Sequence, residues 1–370
     1  MATEESDIEA PALRLENVAA TTGSGAKNRG RNRCRQAMEK PSWRPRAGSR
    51  RAPPLEVAKM KVGVIGAGAV GSASLLSLVM RGVACEIVVV DRNRQRAQGV
   101  VTDLQYGATL SPAVLLEAGD YPDLSDAVLV IITAGINEKA GGATDRSDPA
   151  GRLKLLKANA EIYRDIVPNI VAVAPRALIL VVTDPPDPLA ALARRLAGHG
   201  RVVSTGTFLD TLRFRFHLAR RLKVNPRSVA AQVVGEHGTS QVFLWSSARV
   251  GGMPVTAALG AGSENVEEFR RRVEDEIRYA NISIIEGTGA SQLGIGLATA
   301  RIVEAVLRDE HAVFPVGSFN PAYGTTLSLP SVLGRTGVTR VLEPEMSEDE
   351  RQGLQLSATR LREAVARLEV

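Results

Sequence analysis

One stretch constrains this chain more than any other: KVGVIGAGAVGSASLLSLVMRGVACEIVVVD, residues 61–91. It joins a short β-branched apolar run, a glycine turn, a helix-length apolar segment and a second β-branched run ending in an acid. Continuous apolar runs this short read as parallel strands buried on both faces. Gly66, Gly68 and Gly71 form G-x-G-x-x-G between strand and helix, and Asp91 follows Gly71 by 20 residues. Each position has a mechanical reason. Gly66 permits a tight turn, Gly68 lets a pyrophosphate approach the backbone, and Gly71 lets helix and strand pack closely. The helix N-terminus faces the phosphates. Asp91 would accept hydrogen bonds from ribose hydroxyls, which favours NAD over NADP. Arg92 and Arg94 follow and read as solvated.

The alternation continues through AVLVIIT (127–133), a predicted helix from Pro149 to Val167, ALILVV (177–182), a helix near 188–197 and RVVST (201–205). Strands alternating with helices predict an α/β fold, a Rossmann-type doubly wound parallel sheet. The NAD-binding part is placed at 60–206, with the rest of the body at 207–370. MSEDERQGLQLSATRLREAVARL near the C-terminus reads as an amphipathic helix.

The chain has 370 residues, enough for two domains with real cores. Its net charge of +6 is uneven: residues 1–59 hold 12 Lys and Arg against 7 Asp and Glu, which leaves 34 against 33 for the rest. The body therefore gives no reason to expect nucleic acid. The tail has no apolar periodicity and reads as disordered, or as upstream of a true start at Met60. No apolar run reaches the ~18–20 residues a membrane helix needs; IVAVAPRALILVV is broken by Pro175 and Arg176. Two cysteines, Cys34 and Cys85, build no disulfide framework, and a reduced, cytoplasmic setting fits.

IGAGAVG, VVVD, ITAG, STGTFLDTLRFR and GEHGTS, in that order, resemble the NAD-dependent lactate/malate (2-hydroxyacid) dehydrogenases over nearly all of 60–370, nearer the lactate branch. The resemblance implies a Rossmann domain at 60–206 followed by an α+β substrate domain at 207–370, and reversible reduction of a 2-oxo acid to an L-2-hydroxy acid by a homodimer or homotetramer, with no metal. It extends the cofactor surface from Gly66, Gly68, Gly71 and Asp91 to Ala69 and Val70. Thr133, Ala134 and Gly135 of ITAG, with Asn159, Val182 and Ile295, complete that surface.

Such a reduction needs a hydride donor, a proton donor, a carbonyl polariser and a cation for the carboxylate. NADH supplies the hydride. Four histidines are available, His199, His217, His237 and His311. His237, in the glycine-flanked GEHG, matches the family's proton donor, and histidine titrates near working pH. His217 reads as packing, and the other two as surface residues. Asp210 and Arg213 share a helix face three residues apart. By resemblance, Asp210 holds the histidine's tautomer and Arg213 grips the substrate carboxylate. The polariser is an arginine where a mobile loop becomes a helix. Arg146 and Arg152 compete for it; SDP at 147–149 looks like a helix start with Asp148 as N-cap, and Arg152 in the first turns is the choice.

The position that reads the substrate's far end corresponds to Glu138. A carboxylate about 4 Å from a second substrate carboxylate repels it by up to ~4 kcal/mol at an effective dielectric near 20. This favours a neutral side chain, with pyruvate and lactate as the pair. The loop is enlarged by GGATDRSDPAG, and Arg146 entering the pocket would restore recognition of malate, the alternative. Asp184 stands where the family has Asn, Thr239 where it has Asp, and Ser291 where many members have Thr. A non-catalytic NAD-binding homologue is a further alternative; a metal-dependent glycosidase is disfavoured because no cysteine follows Cys85.

Overall fold

The computed structural model describes residues 60–148, 151–260 and 265–368, with the side chain of Arg152 left out. The readings made of residues 1–59 lie outside the described residues. Strand β1 (Lys61–Ile65) passes through the glycine turn into helix α1 (Ala69–Arg81), and β2 (Glu86–Val90) returns parallel to it. Helix α2 (Arg94–Ala108) and β3 (Leu115–Ala118) follow, then β4 (Leu129–Ile132), α3 (Leu156–Val173), β5 (Leu178–Val181), α4 (Pro186–Ala197) and β6 (Val202–Ser204). These six strands run parallel in the order β3-β2-β1-β4-β5-β6. The order reverses between β1 and β4, the switch point where open α/β sheets bind ligands.

Burial on both faces explains the uninterrupted apolar runs. Val62, Val64, Ile87, Val89, Leu129 and Ile131 point into one core cluster, which α1 closes with Leu75 and Leu78. Val88, Val90, Val130, Ile132, Ile179 and Val181 point into the other, closed by Tyr163, Val167 and Ile170 of α3. Every one of these strand positions is at most 6% exposed, so a polar substitution on either face would be felt.

The second half begins with α5 (Phe208–Leu222), entered through Gly206 in the left-handed region. Short strands β7 (Val229–Ala230) to β11 (Met253–Pro254) and helices α6 (Val255–Leu259), α7 (Val266–Arg278), α8 (Ala280–Thr288) and α9 (Leu293–Leu307) follow. The last strands, β12 (Ala312–Asn320), β13 (Thr325–Gly334) and β14 (Gly337–Val341), extend the first sheet: β12 lies antiparallel to β6, making nine strands in all. Helix α10 (Glu348–Ala366) ends the described chain as the amphipathic pattern predicts, with a capping box between Ser347 and Glu350.

The predicted helix from Pro149 differs in the structure. Pro149 lies outside the described residues. Gly151 has φ +47°, outside the right-handed helical region, and Gly151–Leu155 form a 3-10 turn before the α-helix begins at Leu156. Asp148 pairs with Lys154.

Candidate active site

The glycine turn is built as its residue types require. Gly66 has φ +106°, and a Cβ there would stand 2.6 Å from the Ala134 nitrogen. A Cβ on Gly71 would lie 1.9 Å from the Gly66 carbonyl, whereas one on Gly68 would meet nothing within 4 Å. Gly68 therefore faces open space at the start of α1, where it is the N-cap without a side-chain cap bond. The first N–H groups of α1 are thus left for an anion. Asp91 accepts from the backbone N–H of Ala67 (2.7 Å) and of Asn93 (2.8 Å), which fixes it at the end of β2 beside the turn. Thr133 donates to the Gly66 carbonyl (2.8 Å) and so pins the turn to the end of β4. These residues fit a dinucleotide: a pyrophosphate on the Gly68–Ala69 side, and an acid at the adjacent strand end for the ribose.

The crevice continues into a cavity of about 240 Å³. Gly68, Ala69, Val70, Thr133 and Gly135 line it on the cofactor side, and Val182 and Ile295 add apolar contacts. His237, Arg213, Glu138, Asp184 and Ser291 line the same cavity. Gly66, Gly71, Asp91, Ala134 and Asp210 are not among the residues that line it. Asn159 is fully buried: it accepts from Ile136 N–H (2.7 Å) and donates to the Asp184 carbonyl (2.7 Å), bracing two loops against each other.

His237 is reached through a turn after β8 (Val233–Val234), where Gly235 has φ +86° and bridges to Ser328 on β13. Its Nδ1 lies 2.5 Å from Asp210 Oδ2. Asp210 is 1% exposed and also accepts from Arg213 Nη1 at 3.0 Å, so the i,i+3 spacing on α5 puts both groups in one cluster. A carboxylate only accepts, so Nδ1 carries the proton in this pair and Nε2 faces the cavity. Asp184 Oδ1 is 3.8 Å from that Nε2. His217, by contrast, pairs with Glu276 on α7 at 3.1 Å, and burial holds its pKa below the ordinary value.

Arg146 is not brought to this cavity. It donates to Ser283 (2.9 Å) and Glu286 (3.2 Å) on α8. A turn closed by Asp145, which accepts from Ser147 N–H and hydroxyl, directs it there. Thr239 lines a separate, adjoining cavity. The backbone of Arg152 lies in the 3-10 turn Gly151–Leu155.

Sequence reasoning missed Asp187. It is fully buried on the first turn of α4, accepting from the His237 backbone N–H (2.8 Å) and the Ser204 hydroxyl (2.6 Å). Burial pushes its carboxyl up to about 6, against the two hydrogen bonds, which favour the charged form. Asn281 and Thr205 also line the main cavity; Asn281 arrives on α8 with no local motif to announce it.

A family model described as the lactate/malate dehydrogenase NAD binding domain matches residues 60–203, and one for the alpha/beta C-terminal domain of the same family matches 207–369. The chain belongs to the lactate/malate dehydrogenase family. Among the relatives of this family member, the L-lactate dehydrogenase of Deinococcus radiodurans is 44% identical over 306 residues, covering 82% of this chain and 97% of that protein. That of Thermus aquaticus is 43% identical over 316 residues, covering 84% and 99%. The crystal structure of a minor L-lactate dehydrogenase from Enterococcus mundtii superposes with a TM-score of 0.77 at 34% identity, covering 84% of this dehydrogenase-family chain and 99% of that one.

Proposed function

We propose that this chain is an NAD-dependent L-lactate dehydrogenase, interconverting pyruvate and L-lactate. The observation that carries the reading is the cluster of His237, Asp210 and Arg213 on the wall of a cavity that opens from the glycine turn. The division of labour follows the chain: 60–206 holds the cofactor and 207–370 supplies the acid–base group and the carboxylate grip.

When bound, the nicotinamide cofactor supplies or accepts the hydride. In pyruvate reduction His237 gives its Nε2 proton to the ketone oxygen, and takes it back in lactate oxidation. Asp210 holds the Nδ1–H tautomer and stabilises the imidazolium. Arg213 binds the substrate carboxylate through a guanidinium fork. Arg152, at the entry to α3, polarises the carbonyl from the loop above. Glu138 sets the preference for a neutral side chain, because Arg146 is engaged by Glu286 outside this cavity.

Steady-state NADH oxidation by the full chain with pyruvate, oxaloacetate and a longer 2-oxo acid, side by side, tests this. Pyruvate is expected to have the highest kcat/KM. A preference for oxaloacetate would refute the role given to Glu138, and silence with all three despite NADH binding would refute the activity.

A homodimer or homotetramer belongs to the same reading. Leu76 and Met80 on α1, Leu212 and Phe216 on α5, and Leu293 and Leu297 on α9 are all exposed apolar side chains on helices that pack together. A second copy would cover them. Light scattering on the wild type and Met80→Lys/Leu297→Lys should show an oligomer that dissociates; a wild-type monomer would refute it. The two cysteines suit a cytoplasmic setting. Among the described residues no single helix is long and apolar enough to cross a membrane.

A further inference from the structure

The turn that carries His237 is tied down at three consecutive backbone N–H groups, each by a different element. Gly235 donates to the Ser328 carbonyl on β13 (2.8 Å), Glu236 to the Ser357 hydroxyl on α10 (2.8 Å), and His237 itself to Asp187 Oδ2 on α4 (2.8 Å). Only the last acceptor is a carboxylate, and hydrogen bonds to an ionised acceptor are the stronger kind. Asp187 is held in turn. Its other oxygen accepts from the hydroxyl of Ser204, at the end of β6, at 2.6 Å. Gly317, the residue of β12 paired with Ser204, closes the space: a Cβ there would stand 2.1 Å from Ser204 Oγ and 2.3 Å from Asp187 Oδ1.

Satisfying one backbone N–H does not require a carboxylate. Taking Asp187 fully out of water is costly, and the Ser357 hydroxyl serves the neighbouring N–H without that cost. What the carboxylate adds is a two-ended joint between the His237 turn and the sheet. The chain just before it presents Asp184 and Pro186 to the main cavity, and Asp184 Oδ1 is 3.8 Å from His237 Nε2. We infer that Asp187 is a positioning residue of the reaction: through the His237 backbone it fixes where the proton-donating Nε2 stands relative to Asp184 and Pro186. Ser204 fixes Asp187 in turn. Asp187 is not among the residues that line the cavity, so it acts through His237 and not on the substrate.

A misplacement of about 1 Å in such a site can cost ~10²-fold in rate. The loss belongs in kcat, because Arg213, which grips the substrate carboxylate, is positioned by α5 and not by this joint. The kinetic step rests on the dehydrogenase reading; the joint itself does not.

Two readouts test it. The chain has four histidines, so selective labelling of histidine nitrogen makes the His237 amide one of four NMR signals, assigned as the one missing in His237→Asn. Asp187→Ala should shift that signal and speed its hydrogen exchange at least tenfold. Asp187→Asn, whose side-chain oxygen still accepts, should restore slow exchange. In NADH-oxidation assays Asp187→Ala should lower kcat for pyruvate at least tenfold with KM within twofold of wild type, and Asp187→Asn should bring kcat back to within fivefold. Thermal melts serve as the folding control. Ser204→Ala, which removes a single hydroxyl, covers the case of an Asp187→Ala that does not fold: its kcat should fall at least threefold with KM within twofold. An unaltered amide signal in Asp187→Ala would overturn the joint. An altered signal with kcat within twofold of wild type, or a loss confined to KM, would overturn the positioning role. A wild type that binds NADH and turns over no 2-oxo acid would refute the dehydrogenase reading instead, and the amide signals would still decide the joint.

Discussion

Replacing Asp187 by Asn separates its charge from its hydrogen bonds. The carboxyl is fully buried and its pKa is pushed from 3.8 up to about 6, chiefly by burial. A raised folded-state pKa means that folding favours the protonated form. The associated stability is present below the unfolded value and is lost as pH rises through the folded one. From 3.8 to about 6 this amounts to roughly 3 kcal/mol at ~1.4 kcal/mol per tenfold change in acidity. Above pH 6 the wild type carries that full cost; the Asn side chain carries none at any pH. Asn also keeps both partners, because its oxygen accepts from His237 N–H and its amide donates to Ser204 Oγ. Any loss of hydrogen-bond quality is therefore a constant offset. The stability of Asp187→Asn relative to wild type should rise by about 2.4 kcal/mol between pH 4 and pH 7.5, the rest of the cost being incurred already at pH 4. In melting temperature that is a gain of a few degrees, at ~2 °C per kcal/mol. Denaturant titrations of both proteins across that range measure it directly. A difference that stays flat with pH would refute the argument that Asp187 is held as a costly buried charge.

Three further outcomes follow from the site. Asp210→Asn should lower kcat by ~10²–10⁴-fold, since an amide no longer enforces the Nδ1–H tautomer; steady-state rates check this, and wild-type kcat would exclude Asp210 from the proton transfer. Gly68→Ala should leave the melting temperature unchanged, because its Cβ meets no protein atom within 4 Å, yet weaken NADH binding about tenfold, whereas Gly71→Ala, with a Cβ 1.9 Å from the Gly66 carbonyl, should lower the melting temperature. Fluorescence titration with NADH alongside thermal melts distinguishes the pair. Glu138→Arg should raise the oxaloacetate-to-pyruvate ratio of kcat/KM at least ~10-fold, a swing of ~1.4 kcal/mol after allowance for partial solvent screening.

The doubly wound sheet was legible because its strands are buried on both faces. KVGVI and EIVVV have no polar residue to hide between the first and last positions, and the strands start and stop within a residue of the apolar runs. Asp210 and Arg213 were legible because three residues is a local spacing on a helix. What failed was long-range or conformational. Nothing in the residue spacing separates the 3-10 turn Gly151–Leu155 from the α-helix that begins at Leu156. The junction of β12 with β6 rests on one register pair, Gly317 with Ser204, more than a hundred residues apart. Asp187 belongs to the same class: no local pattern marks its burial, which arises when α4 brings it to the His237 backbone and Ser204.

The enlarged loop illustrates how such long-range placement decides which charge lines the cavity. Two charged side chains competed for the pocket, Glu138 and Arg146, eight residues apart and of opposite sign. Sequence spacing alone gives either of them access. Backbone bonds from Gly141 to Asn137 and from Ala143 to Glu138 close the first part of the loop into a compact turn that keeps Glu138 on the cavity wall. The Asp145–Ser147 turn then carries Arg146 to Glu286 on α8. For Arg146 to enter the cavity it would have to leave both Ser283 and Glu286. Exposed pairs of this kind hold by only ~0.2–1 kcal/mol, so the ion pair is not a lock. The nearer influence is the charge on the cavity wall itself, where Glu138 and Asp184 stand with Lys139 of the same loop. Removing Glu286 should therefore change the substrate preference far less than replacing Glu138, and kcat/KM ratios for Glu286→Gln and Glu138→Gln, measured together, separate the two contributions.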